Sequence, residues 1–93
     1  MLLKRLVELL EAAHISDGVY GIVDKNQNLI AGRRGAGYQL RYENKWVVRD
    51  LEDSRGVVYY EKLCDSEREA CIEFLKMTDI EFHLASHIPE FAA

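Results

Sequence analysis

The chain has 93 residues, of which 48% are hydrophobic and 30% are charged, and its formal net charge is −4. This length predicts one domain over residues 1–93, whose thin core leaves little chain to enclose a deep active site. The acidic balance and the lack of a basic stripe argue against nucleic acid as a partner, and no apolar run approaches the roughly 20 residues of a membrane span.

The first third of the chain predicts a helix followed by a hairpin. Leucines at helical spacing, with charged residues between them, indicate an amphipathic helix from about residue 2 to 14. The apolar period then changes to two. Residues 19–23 and 29–31 are typical of short strands, and the polar stretch 24–28 joins them as a turn.

The middle of the chain predicts three more strands. Residues 38–42 and 46–51 alternate around a tight turn, which indicates a second hairpin with Trp46 as a core anchor. A β-branched and aromatic run over 57–63 predicts a fifth strand. Tyr59 and Tyr60 are adjacent in that strand and should face opposite sides, so one of them is expected in the core.

The C-terminal third predicts a capped helix. Ser66 and Glu69 fit a capping box, which starts a helix over 67–77. The tail, residues 79–93, fits alternation and helical spacing equally well, and we expect a second short helical segment there.

These elements predict an α+β fold. We expect an antiparallel β-sheet of about five strands, with the N- and C-terminal helices packed on one face. The other face of the sheet would remain open.

Few residues suggest chemistry. His83 and His87 are four apart, but a zinc site needs further ligands, and surface histidines are the simpler interpretation. The segment 32–37, Gly-Arg-Arg-Gly-Ala-Gly, could cradle a phosphate, but no Lys-Ser/Thr follows, which favours a mobile connecting loop.

The two cysteines, Cys64 and Cys71, have no disulfide-framework spacing. They are typical of reduced, buried thiols in a cytoplasmic protein. Cys64 would be a nucleophile only if a histidine approached it. We therefore expect no enzyme activity, no cofactor and no metal.

Acidic residues gather around the second hairpin and the strand after it. An acidic, tyrosine-bearing sheet face is suited to docking a basic protein. The predicted partner-binding residues are Glu43, Asp50, Glu52, Asp53, Arg55, Tyr60 and Glu61.

Three motifs in this order carry a resemblance. They are the W-x-V strand at Trp46, an acidic-Arg-Gly element over 52–56, and S-E-x-E-A-C over 66–71. Over roughly residues 2 to 76 the chain resembles the small immunity proteins encoded beside bacterial polymorphic or contact-dependent growth inhibition toxins. In this chain Asp53 and Ser54 stand where that family has a glutamate directly before the arginine.

The resemblance implies a cytoplasmic inhibitor that binds a cognate toxin C-terminal domain, often a nuclease, as a monomer in a 1:1 complex. It would cover the toxin's active site or substrate path, so no catalytic residue carries over. Two alternatives stay open from the residues alone. One is a regulatory or oligomeric interaction module without a toxin partner, and the other is a small enzyme that uses Cys64 or the His83/His87 pair.

Overall fold

The computed structural model describes residues 2–51 and 57–93. Its strands and helices follow the predicted order. The elements are α1 Leu2–Ala12, β1 Tyr20–Val23, β2 Leu29–Gly32, β3 Tyr38–Tyr42, β4 Trp46–Leu51, β5 Val58–Cys64, α2 Glu67–Phe82, a 3-10 turn Ala85–His87 and α3 Ile88–Ala92. Within the described ranges, no helix is both long enough and apolar enough to cross a membrane.

The five strands form one sheet in the order β2-β1-β3-β4-β5. The predicted α+β class, with five strands and packed terminal helices, is confirmed. The sheet is mixed, because β1 and β3 run parallel while every other neighbouring pair is antiparallel. The sequence suggested successive hairpins, whereas β3 pairs on the far side of β1 from β2.

The parallel pair exists because the chain crosses over β1 between β2 and β3. A Cβ atom added to Gly21 would lie 3.1 Å from the carbonyl carbon of Arg33 and closer still to its oxygen. Gly21 therefore lets the crossing segment rest directly on β1. Gln39 holds the same segment, since its Nε2 donates to the carbonyls of Arg34 at 2.9 Å and Ala36 at 3.1 Å.

The core lies between the helices and one face of the sheet. Leu40, Val48 and Phe74 are fully buried there, and Trp46 is 7% exposed, so the prediction of Trp46 as a core anchor is confirmed. Alternation places every second residue of β3 and β4 on this side. We call it the helix-side face of the sheet and the opposite side the open face.

Helix α2 begins after a capping box at Ser66 and ends at His83. Ser66 Oγ accepts from the Glu69 N–H at 3.1 Å, and the Glu69 carboxylate accepts from the Asp65 N–H at 2.9 Å. The helix continues past the predicted end at residue 77 and stops at His83, which has a left-handed φ of 58°. The second short helical segment predicted for the tail is α3, anchored by the buried Phe91.

Candidate functional site

The most exposed apolar surface of the described residues lies along β5, at one edge of the sheet. Seven large hydrophobic residues are exposed in the described ranges, and five of them lie between residues 57 and 63. They are Val57 at 45%, Val58 at 48%, Tyr59 at 66%, Tyr60 at 41% and Leu63 at 56%. We call this set the β5 patch. Large exposed apolar side chains concentrated in one short segment are typical of an interaction surface.

The β5 patch exists because the helix layer covers only the end of this strand. Cys64 is the single buried residue of β5. The expectation that Tyr59 or Tyr60 enters the core is wrong, since both are exposed. Asp50 pairs with Tyr60 and Leu51 pairs with Val58, so the register shifts at Tyr59 and simple alternation does not describe this part of β5. The helices do not cover the part of β5 that holds the two tyrosines, so neither ring can pack into the core.

Beside the β5 patch, an ion-pair network crosses the open face. Arg49 donates to both oxygens of the Glu43 carboxylate, at 2.7 and 3.0 Å, and its Nε donates to Glu61 at 2.6 Å. Arg41 Nε lies 3.0 Å from the Glu43 carboxylate. The hydrogen bonds from Arg49 lower the pKa of Glu43, and the bonds to Glu43 and Glu61 raise the pKa of Arg49, despite the opposing effect of partial burial.

The ion-pair network reduces the negative charge of the predicted acidic surface. Glu43 and Glu61 do lie on the open face, but Arg49 already neutralises much of their charge. A cationic partner must therefore share these carboxylates with Arg49. Residues 43, 49 and 61 come together on one face only because of the register of β3, β4 and β5, which the sequence did not reveal.

Asp50 lies elsewhere, on the helix-side face opposite Tyr60. It lines a cleft of about 540 Å³ at the end of the sheet together with Tyr38 and Glu81. Tyr38 donates its hydroxyl hydrogen to Glu81 at 2.7 Å. Burial, followed by the negative charge of Glu81, raises the pKa of Asp50.

The predicted partner-binding residues are therefore not gathered on one surface. Glu43 and Glu61 share the open face, whereas Asp50 and Tyr60 lie on the helix-side face. The remaining three lie outside the described residues: Glu52, Asp53 and Arg55. Sequence reasoning missed Leu63 and Arg49, because their importance depends on which strand forms the sheet edge.

The glycine-rich segment is held against the sheet rather than presented as a phosphate cradle. The Arg33 N–H donates to the Tyr20 carbonyl at 2.8 Å, and the Ala36 N–H donates to the Arg33 carbonyl at 3.2 Å. Arg34 donates to the Gln27 carbonyl at 2.8 Å. Two of the loop's amide hydrogens and one of its guanidinium groups thus already have protein acceptors.

The cysteines are placed as structural thiols. Cys64 and Cys71 are both buried and free. Burial raises the pKa of Cys64 to about 11 and that of Cys71 to about 12, so both stay protonated near neutrality.

The two histidines of the H-x-x-x-H pattern do not share a helix face. The helix ends at His83, and His87 lies in the following 3-10 turn, where its ring is 2.7 Å from Glu90. Over residues 2–51 and 57–93, no cluster of three or more His, Cys, Asp or Glu side chains is arranged to hold a metal ion.

Comparisons of the chain with protein-family models, with curated proteins and with solved structures found no match.

Proposed function

We propose that this protein binds and neutralises a cognate bacterial toxin domain, as do the small immunity proteins that it resembles. It acts in the cytoplasm as a monomer in a 1:1 complex and needs no cofactor. In this proposal the toxin domain is a nuclease. It is inhibited because the bound protein covers its active site or substrate path.

The observation that carries this proposal is the β5 patch. Five large apolar side chains remain exposed, four of them in β5 and the fifth at Val57, directly before it. Leaving them exposed forgoes about 25 cal/mol for each Å² of apolar surface, which a bound protein would recover. Their position at a sheet edge, next to charged side chains that can form a polar rim, is the usual anatomy of a protein interface.

The chemistry of the remaining groups supports binding over catalysis. A cysteine nucleophile must reach its thiolate form, but both thiols are buried and their pKa values are raised. His83 ends a helix, and His87 is paired with Glu90. Neither histidine contacts a thiol through any hydrogen bond of the described residues.

The test is copurification with the C-terminal domain of the protein encoded directly upstream. The tagged wild-type protein should capture that domain and suppress its toxicity in coexpression. Leu63→Lys places a charge in the β5 patch and should abolish capture, because the lysine would remain unpaired in an apolar contact. Ile80→Lys is the matched control, since Ile80 is 82% exposed and lies on α2, outside the residues of the β5 patch.

Two results would count against the proposal. One is failure of the wild-type protein to capture the upstream domain. The other is equal capture by the Leu63→Lys and Ile80→Lys variants, which would place the interface away from the β5 patch.

A further inference from the structure

The two edges of the sheet differ in what they offer to another chain. The β2 edge is four residues long, whereas the β5 edge is seven residues long. An edge strand presents backbone N–H and C=O groups that can pair with an extended segment. The longer edge also carries the β5 patch, so backbone pairing and apolar burial are available on the same strand.

The hydrogen bonds of β4 establish which backbone groups of β5 point outward. The Leu51 N–H donates to the Gly37 carbonyl at 2.7 Å, and the Glu43 N–H donates to the Lys45 carbonyl at 2.8 Å. Antiparallel ladders alternate strictly, so the odd-numbered residues of β4 direct their backbone groups towards β3. The even-numbered residues, Trp46, Val48 and Asp50, must then direct theirs towards β5.

The register of β4 with β5 completes the assignment. The β5 partners of those three residues are Cys64, Lys62 and Tyr60, which therefore point their backbone groups inward. Glu61 and Leu63 alternate with them, so their N–H and C=O groups face away from the sheet. The side chains of the same two residues stand on the open face.

A second copy of this chain is a poor occupant of the edge. In an antiparallel pair of β5 strands, residues whose backbone groups face away from one sheet must lie opposite such residues of the other copy. When the two strands overlap along their full length, Glu61 therefore lies opposite Glu61 of the second copy. Like charges directly opposite each other destabilise a strand pair. A foreign strand with a cationic side chain at that position would instead complement Glu61, whose side chain is 41% exposed despite its bond to Arg49.

We propose that β5 accepts an extended segment of a partner protein as a sixth, antiparallel strand, with a lysine or arginine opposite Glu61 and apolar residues two positions to either side. One of those apolar residues packs on Leu63. The inference rests on the proposed binding function and specifies how that binding is achieved. Main-chain bonds to Glu61 and Leu63 give affinity, and the alternating side chains give specificity.

The test uses a synthetic probe, so that it does not depend on the toxin. The peptide acetyl-Thr-Val-Glu-Lys-Thr-Val-Thr-amide places its lysine opposite Glu61 and a valine opposite Leu63. In the free protein, the amide hydrogens of Glu61 and Leu63 should exchange quickly, whereas those of Tyr60 and Lys62 should be protected. Peptide at up to about 2 mM, the range expected for a weak single-strand contact, should protect Glu61 and Leu63 as well.

Charge exchange tests the side-chain part of the proposal. A control peptide with glutamate in place of its lysine should bind at least about fivefold more weakly to the wild-type protein. The Glu61→Lys variant should reverse that preference. Because both peptides are compared on the same folded variant, altered stability of Glu61→Lys does not affect the result.

Two variants at Leu63 test the backbone part. Leu63→Pro removes an outward N–H without removing a bond to β4, which edge strands tolerate. It should weaken peptide binding by at least about fivefold, the equivalent of one lost hydrogen bond, and by more than Leu63→Ala does. Circular dichroism confirms that each variant is folded, and the exchange pattern of the wild-type protein tests the same point without a substitution.

The inference is wrong if the amides of Glu61 and Leu63 stay unprotected at the highest peptide concentration. It is also wrong if the protein alone sediments as a dimer in which these amides are protected. Either result leaves capture of the upstream domain untouched. Conversely, peptide binding without capture of that domain would retain strand addition and remove the toxin as partner.

Discussion

Substitution of Gly21 by alanine should detach the segment that crosses β1. The added methyl group would point at the backbone of Arg33, with its Cβ 3.1 Å from the carbonyl carbon and closer still to the oxygen. Real Cβ atoms essentially never approach within 3.0 Å of another heavy atom. A backbone carbonyl cannot rotate away as a flexible side chain can, so the crossing segment or β1 must move.

The expected loss of stability is about 3 kcal/mol, at the upper end of the range for overpacking a well-packed site. For a domain of this size that corresponds to a fall in Tm of very roughly 12–24 °C. Gly35 provides the control in the same segment, because a Cβ there would meet nothing within 4 Å. Gly35→Ala should be neutral or should stabilise by up to about 1 kcal/mol, through the reduced freedom of the unfolded chain.

Urea denaturation followed by tryptophan fluorescence measures both variants, since Trp46 is the only tryptophan and lies in the core. The change should also loosen the Gln39 side-chain amide, which is held by the Arg34 and Ala36 carbonyls. Equal unfolding free energies for Gly21→Ala and Gly35→Ala would refute the close crossing and, with it, the explanation of the parallel strand pair.

Two further predictions concern titratable groups. Because Arg49 lowers the pKa of Glu43 below its ordinary 4.5, this carboxylate stabilises the fold above that pH, and the contribution is lost as the pH falls towards the lowered value. Glu43→Gln should therefore lower the free energy of unfolding by under about 1 kcal/mol at pH 7, because the ion pair is partly exposed. Urea titrations should show a progressively smaller loss below pH 4.5. A loss that does not change with pH would contradict this prediction. Cys64 and Cys71, whose pKa values burial raises to about 11 and 12, should react with a thiol reagent at neutral pH only after unfolding. A thiol that reacts rapidly in the native protein would instead support the cysteine-enzyme alternative.

The ion pairs of the open face also bear on how a partner can be recognised. A surface lined by unpaired carboxylates would attract any basic protein, whereas Glu43 and Glu61 are held by Arg49 in a fixed geometry. Pre-positioned charges of this kind favour selectivity over general attraction. This is why the proposed binding depends on the β5 patch first and on charge second.

The sequence by itself determined the order of the helices and strands and the α+β fold class. Helical and strand periodicity are local properties, so the five strands, the first helix and the Ser66 cap could be placed from neighbouring residues alone. The burial of Trp46 followed from the same alternation. The length of α2 could not be placed in this way, because residues 79–82 fit either period.

Only the tertiary structure decided the order of the strands, and that order created the candidate site. Nothing local in residues 57–63 distinguishes an edge strand from a central one, since the difference lies in whether another strand and a helix cover it. The crossing over β1 likewise depends on contact between Gly21 and Arg33, which are distant along the chain. A glycine permits that contact, but its presence in the sequence does not predict it. Pairing between strands is a non-local choice, so the exposed β5 patch and the Arg49 network became visible only once the sheet was assembled.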